Sequence, residues 1–264
     1  MSESVFNLNG RTAVITGAGS PNGIGFASAT MLAEMGAQVY LTGASERVLD
    51  RAQELRDLGF DAFASIANLT DRLQLLHLVE EIAEHFNTVD ILVNNAGMTS
   101  VVDSSTAQQE NGSLDTVTIA GFEKSLTRNL TSVFALTQGL LPFIKNSSAG
   151  RIVLVSSLTG STMAMRNQVP YAVSKAGLLG LTKALALDEA EFGITVNAVA
   201  PGWIATSSAT PNELDQGKKT PMRRSGTAFE VASAIAWLCT TEASYITGQT
   251  LILDGGNSIA EERA

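Results

Sequence analysis

"TGAGSPNGIG", residues 16–25, is the stretch on which the reading of this chain turns. It follows a short β-branched run, "TAVIT" (12–16), and leads into an apolar helical pattern that begins near Ile24. A glycine-rich turn in that setting is a candidate phosphate site. Glycines without a Cβ let the backbone approach an anion, and the first turn of a helix offers unpaired N–H groups and a favourable dipole. Gly17, Ser20, Asn22, Gly23, Ile24 and Gly25 are therefore candidate contacts. Five residues separate Gly17 from Gly23, two more than in the usual dinucleotide turn, and Pro21-Asn22 reads as a bulge stiffened by its proline. A plain strand-to-helix connection would carry the same glycines, so the loop alone leaves both readings open.

Outward from this loop, β-branched runs alternate with helical patterns. "TAVIT" (12–16), "AQVYLT" (37–42), "ILVNN" (91–95), "RIVLVSS" (151–157), "TVNAVA" (195–200) and "TLILD" (250–254) read as strands, with "DAFASI" (61–66) a weaker one. Several are apolar without alternation, as in strands covered on both faces. Helices are expected over 24–35, 46–58, 71–86, about 120–140, about 170–191 and 228–239. Thr227 and Glu230 form a capping-box start for the last. The alternation predicts an α/β fold, a doubly wound parallel sheet of about seven strands with helices on both faces, in a single domain over 1–264. Two polar segments interrupt it, an insert at about 98–121 and a loop at about 201–226. Both follow strands, so both are expected at the carboxyl edge, where open α/β sheets bind ligands.

The 264 residues carry a net charge of −9 with the signs interspersed, which argues against nucleic acid or an anionic membrane as partner. No apolar run approaches the ~18 residues of a membrane span. The first residues show no basic start ahead of an apolar stretch, so no signal peptide and a cytoplasmic location are expected. Cys239 is the single cysteine, which excludes an internal disulfide or a multi-cysteine metal site. His77 and His85 have no accompanying carboxylate constellation, and no metal is expected.

"YAVSK" places Tyr171 and Lys175 four apart on one helical face. An ammonium beside a phenol favours the phenolate, so Lys175 is expected to lower the Tyr171 pKa and make it a proton donor and acceptor. Ser157 ends the strand "RIVLVSS" and could hydrogen-bond a carbonyl oxygen in the same crevice. Each feature by itself has an ordinary reading, as a solvated pair or a turn serine.

Taken in order, the motifs resemble the short-chain dehydrogenase/reductase family in its branch of about 250 residues, most closely its 3-oxoacyl thioester reductases. The resemblance rests on the glycine loop 16–25, "NNAG" (94–97), Asn129 in "RNLTSVF", Ser157 in "VSSLTG", "YAVSK" (171–175), "VNAVAPG" (196–202) and "LDGG" (253–256). It implies a Rossmann fold and a nicotinamide cofactor. Tyr171 would be the general acid or base, Lys175 would bond the nicotinamide ribose, Ser157 would orient the substrate carbonyl, and Asn129 would hold a water linked to Lys175. Asn95, Ala96 and Gly97 would line the adenosine side, with Asn94 steadying the sheet. Asn68 and Leu69 would meet the adenine, Asn68 standing where the family often has an aspartate. Pro201, Gly202, Ile204 and Thr206 would border the nicotinamide. The family's spacing returns when Pro21-Asn22 is removed. Gly43 stands where NAD-specific members usually have an aspartate, and Ser45 and Arg47 could bind a 2′-phosphate. NADP(H) is therefore favoured over NAD, with Glu46 as contrary evidence. The expected activity is reduction of a ketone to a secondary alcohol. An NAD-dependent alcohol or sugar-alcohol dehydrogenase and a nicotinamide-binding regulatory protein are the alternatives. Ala172, Ala176 and Gly180 form a small-residue stripe, and a homodimer or homotetramer is expected.

Overall fold

The computed structural model describes residues 6–97 and 110–261; residues 98–109 of the expected insert lie outside the described residues. The strands are β1 (Thr12–Thr16), β2 (Gln38–Gly43), β3 (Ala62–Ile66), β4 (Ile91–Asn94), β5 (Arg151–Val155), β6 (Thr195–Pro201) and β7 (Thr250–Leu253). They form one parallel sheet in the order β3-β2-β1-β4-β5-β6-β7. The helices between them are α1 (Ile24–Glu34), α2 (Arg47–Asp57), α3 (Arg72–His85), α4 (Ile119–Leu126), α5 (Ser132–Lys145), α6 (Val169–Asp188), α7 (Pro211–Gly217) and α8 (Ala228–Leu238).

The period of two along each strand divides the core. Ala13, Ile15, Ile91, Val93, Val153 and Val155 face the side that also buries Leu32, Val48, Leu55, Val231 and Ile235 of α1, α2 and α8. Their neighbours Val14, Leu92, Ile152 and Leu154 face Leu75, Leu78, Ile82, Leu136, Leu140 and Leu178 of α3, α5 and α6. Both faces of the sheet are covered, which is why the strands read as continuous apolar runs rather than alternating ones.

The structure departs from the sequence reading in three places. The helix expected over 120–140 is two helices, α4 and α5, joined by a π-helical turn at Thr127–Thr131 that contains Asn129. The run "RIVLVSS" leaves the sheet at Val155, and Ser157 instead caps a short turn over Leu158–Ser161 by accepting from the Thr159 N–H at 3.2 Å. The loop 201–226 contains a helix, α7, started by a second capping box, Thr210 with Glu213.

The capping box expected at Thr227 is present. Thr227 Oγ1 accepts from the Glu230 N–H at 3.1 Å, and Glu230 accepts from the Thr227 N–H at 2.8 Å. Arg224 donates to both oxygens of Glu230, at 2.8 and 2.6 Å. That guanidinium, with the Thr227 N–H, holds the Glu230 carboxyl down at about 2. The box thus ties the end of the 201–226 loop to α8. Thr227→Ala should cost about 1 kcal/mol through the lost cap. In a chain of this size that lowers the Tm by roughly 2–4 °C, measured by thermal circular dichroism; an unchanged Tm would show that the cap carries no net stability.

Candidate active site

β1 and β4 are neighbours although α1 to α3 separate them in the chain, so the direction of winding reverses between them. Their carboxyl ends open the crevice in which such sheets bind ligands. The two chain segments leaving these strands are knitted together. Thr16 Oγ1 accepts from the N–H groups of Asn95 and Ala96, at 3.0 and 2.8 Å. Asn95 Nδ2 donates to the carbonyls of Thr16 and Gly17, at 2.9 and 3.2 Å. The Asn95 side chain therefore works from behind the glycine loop and fixes its shape, where the resemblance had it lining the adenosine side.

A Cβ on Gly17, whose φ is +67°, would sit 2.8 Å from Asn95 Nδ2, and one on Gly25 would sit 2.5 Å from it. Only glycine leaves room for the clasp at either position. Pro21 and Asn22 are exposed at the tip of a turn closed by the Gly23 N–H donating to the Ser20 carbonyl at 3.0 Å. The two extra residues are thereby absorbed at the rim, away from the clasp. α1 starts at Ile24 with no side-chain cap, so its first-turn N–H groups are offered to an anion. This loop fits a dinucleotide phosphate.

At the rim, Arg47 Nε donates to Ser45 Oγ at 3.3 Å, and Arg47 Cβ lies 3.7 Å from where a Cβ of Gly19 would be. Gly43 ends β2 with no carboxylate, and Ser45, Glu46 and Arg47 are exposed beside it. Asn68 is exposed; its Oδ1 accepts from the N–H and Oγ1 of Thr70, at 3.1 and 2.8 Å, while the neighbouring Leu69 packs on the core. On the far side of the crevice, Pro201 ends β6 and Gly202 donates to the Leu253 carbonyl at 2.9 Å. Ile204 bridges to Gly226, and Thr206 Oγ1 meets Ser208 Oγ at 2.9 Å.

Lys175 is 2% exposed. Its Nζ donates to the Val155 carbonyl at 2.9 Å and stands 5.7 Å from the centre of the Tyr171 ring. Burial pushes the ammonium pKa down to about 8. Asn129 is fully buried; its Nδ2 donates to the Ser125 carbonyl at 3.0 Å, and its Oδ1 has no hydrogen-bond partner. A buried acceptor without a partner costs about 1–3 kcal/mol, so its retention calls for an explanation.

The expectation that Lys175 lowers the Tyr171 pKa is overturned. Burial raises that pKa above the usual phenol value, the hydrogen bond with Ser157 opposes it, and the Glu213 carboxylate of α7 adds to the rise. The ammonium is engaged by a carbonyl rather than by the phenol, and desolvation of the phenolate prevails. Glu213 went unnoticed in the sequence, although "TPNE" (210–213) carries a capping-box pattern of its own.

A family model described as Enoyl-(Acyl carrier protein) reductase matches residues 17–258. The 3-oxoacyl-(acyl-carrier-protein) reductase FabG of Escherichia coli (strain K12) is 38% identical over 257 residues, 95% of this chain and 98% of that one. Nodulation protein G of Rhizobium sp. (strain N33) is 39% identical, over 96% of this chain and 98% of its own length. A Beutenbergia cavernae structure with NADP bound at low occupancy superimposes with a TM-score of 0.87 at 34% identity, covering 97% of this chain and 100% of that one.

The buried ammonium has a consequence for stability. Depression from the ordinary 10.5 to about 8 corresponds to a cost on the order of 3 kcal/mol at neutral pH. The single hydrogen bond to Val155 returns only about 1 kcal/mol. Between pH 8 and 10.5 the unfolded chain binds more protons at Lys175 than the folded one, so stability rises through this group as pH rises across that window. Lys175→Met should therefore melt no lower than wild type at pH 7 and should lose that part of the rise. A Tm several degrees below wild type at pH 7 would contradict the ledger.

Proposed function

Since this chain belongs to the short-chain dehydrogenase/reductase family and is an NAD(P)-dependent oxidoreductase, we propose that it reduces a ketone to a secondary alcohol with NADPH, its substrate class being a 3-oxoacyl thioester. The observation that carries this reading is the set of polar groups gathered beyond β5. The Ser157 hydroxyl is near enough to Tyr171 to act on its ionisation, Lys175 lies beside the Tyr171 ring, and Asn129 holds an unpartnered buried acceptor. The substrate class follows the relatives named 3-oxoacyl-(acyl-carrier-protein) reductase.

The cofactor, when bound, supplies the hydride to the carbonyl carbon. The chain's own groups handle the oxygen. Ser157 Oγ donates to the carbonyl oxygen and stabilises its developing charge. Tyr171 Oη gives its proton to that oxygen, completing the alcohol. Lys175 holds the nicotinamide ribose, while Asn129 Oδ1 holds a water that returns a proton through Lys175. Gly17, Ser20, Asn22, Gly23, Ile24 and Gly25 hold the phosphates. Asn68, Leu69, Ala96 and Gly97 border the adenosine, and Pro201, Gly202, Ile204 and Thr206 the nicotinamide.

NADPH is preferred in this reading because Ser45 and Arg47 converge on the rim of the glycine loop where no carboxylate ends β2. The exposed Glu46 is the one feature that favours NADH. The same reading makes the protein a homodimer or homotetramer joined through the α6 face on which Val173, Ala176 and Gly180 are exposed; a monomeric mass at micromolar concentration would exclude it.

Tyr171→Phe should lower kcat by about 10²–10⁴ while the thermal shift given by NADPH stays as in wild type; retained turnover would remove Tyr171 from the chemistry. Arg47→Ala should weaken NADPH about tenfold, the worth of one charge-assisted hydrogen bond, and leave NADH unchanged. Equal effects on the two cofactors in titrations would assign Arg47 to general structure instead.

A further inference from the structure

Between the insert and the helices that carry Asn129 and Tyr171 lies a set of contacts with no counterpart in the motifs above. Glu110 is 0% exposed. Its two carboxylate oxygens accept from Arg128 Nε at 2.9 Å and Arg128 Nη2 at 2.8 Å, the parallel fork that fixes a guanidinium and a carboxylate in one plane. Arg128 is the residue before Asn129 inside the π-helical turn. Its carbonyl accepts from Ser132 Oγ at 2.8 Å. On the other side of this turn, the position of a Gly97 Cβ would lie 3.0 Å from Asn129 Oδ1 and 3.6 Å from the Arg128 carbonyl oxygen.

Two residues beyond Glu110, Gly112 pairs with Gln168 in a parallel bridge, and its carbonyl accepts from the Val169 N–H at 3.3 Å. Gly112 has a φ of +155°, and a Cβ there would stand 2.5 Å from Thr116 Oγ1. The position admits only glycine without moving the turn that follows. Val169 opens α6, two residues before Tyr171. A segment of three residues, 110–112, therefore grips one helix beside Asn129 and the other beside Tyr171.

We infer that Glu110 and Arg128 are positioning residues: their fork, continued by Gly112, sets the π-helical turn of Asn129 against the first turn of α6, so that Asn129 Oδ1 and Tyr171 keep a fixed relation. The inference rests on the reductase reading of those two side chains. A pair that served stability alone could be replaced by apolar side chains of similar volume without loss, as buried ion pairs often can. Removing one partner would instead strand a buried charge, so both must be replaced together.

The test is the double variant Glu110→Leu/Arg128→Met, with Gly112→Ala as a second route to the same joint and Tyr171→Phe as a control. Acetoacetyl-coenzyme A and NADPH are the assay pair. The inference expects the double variant to melt within a few degrees of wild type, to keep its KM for NADPH within about twofold, and to lose kcat at least tenfold with a displaced pH profile. Amide exchange at Thr127–Thr131 and in the first turn of α6 should accelerate at least tenfold while the sheet stays protected, and Gly112→Ala should reproduce the exchange at α6. A double variant with wild-type kcat, pH profile and exchange overturns the inference. If Tyr171→Phe keeps wild-type turnover, the reductase reading fails instead, and the exchange at the two turns decides the positioning claim without it.

Discussion

Everything at the carboxyl edge depends on the clasp between Thr16 and Asn95. Parallel strands that are distant in sequence pair through their main chains, but nothing in that pairing fixes the loops that leave them. Here one hydroxyl accepts two main-chain N–H groups and one amide donates to two carbonyls, across 79 residues of chain. Each bond is worth only about 0.5–1.5 kcal/mol net, yet leaving those partly buried main-chain groups unpaired would cost more than each bond returns. The clasp also explains the glycines. Gly17 and Gly25 are short of a Cβ because Asn95 Nδ2 occupies the space one would need. The lengthening at Pro21-Asn22 is tolerated for the complementary reason: it lies in a solvent-facing turn that the clasp does not reach.

A second constraint runs against stability. The sheet and its helices obey the local rules of patterning, capping and burial, and the surroundings of Lys175 and Asn129 break them. An ammonium is buried with one carbonyl for company, and an amide oxygen is buried with none. The broken i→i+4 ladder of the π-helical turn is what leaves Asn129 in this position, since such turns add a residue to a helix and redirect a side chain. Such violations persist only where the surrounding core overdetermines the geometry, and α5 and α6 supply that core through Leu136, Leu140 and Leu178.

The seven strands and the principal helices were legible because both sheet faces are covered and the runs are correspondingly apolar. The glycine loop was legible for its setting between a strand and a helix. The helix over 120–140 was misread because the π-helical turn breaks no apolar pattern; nothing in "LTRNLT" (126–131) forbids a continuous helix. α7 was missed although Thr210, Pro211 and Glu213 carry a start signal, because seven residues are too short for periodicity to assert itself. The pairing of Glu110 with Arg128 could not be read at all, as it joins an insert to a helix through tertiary packing. The Tyr171 pKa was judged in the wrong direction for the same reason: spacing shows which charge is near, and only burial shows which state is desolvated.

That reversal changes the proton inventory of the crevice. A phenol raised above its usual value and an ammonium lowered to about 8 exchange their ordinary order of ionisation by a wider margin than in water. As pH rises, Lys175 gives up its proton while Tyr171 still holds its own. At neutral pH both are protonated, the phenol held so by its burial and the ammonium by the Val155 carbonyl. Above pH 8 the phenol keeps its proton and the cation is lost. The negative charge of Glu213 on α7 presses the same way by disfavouring the phenolate. The arrangement of burial and charge therefore keeps Tyr171 in its protonated form.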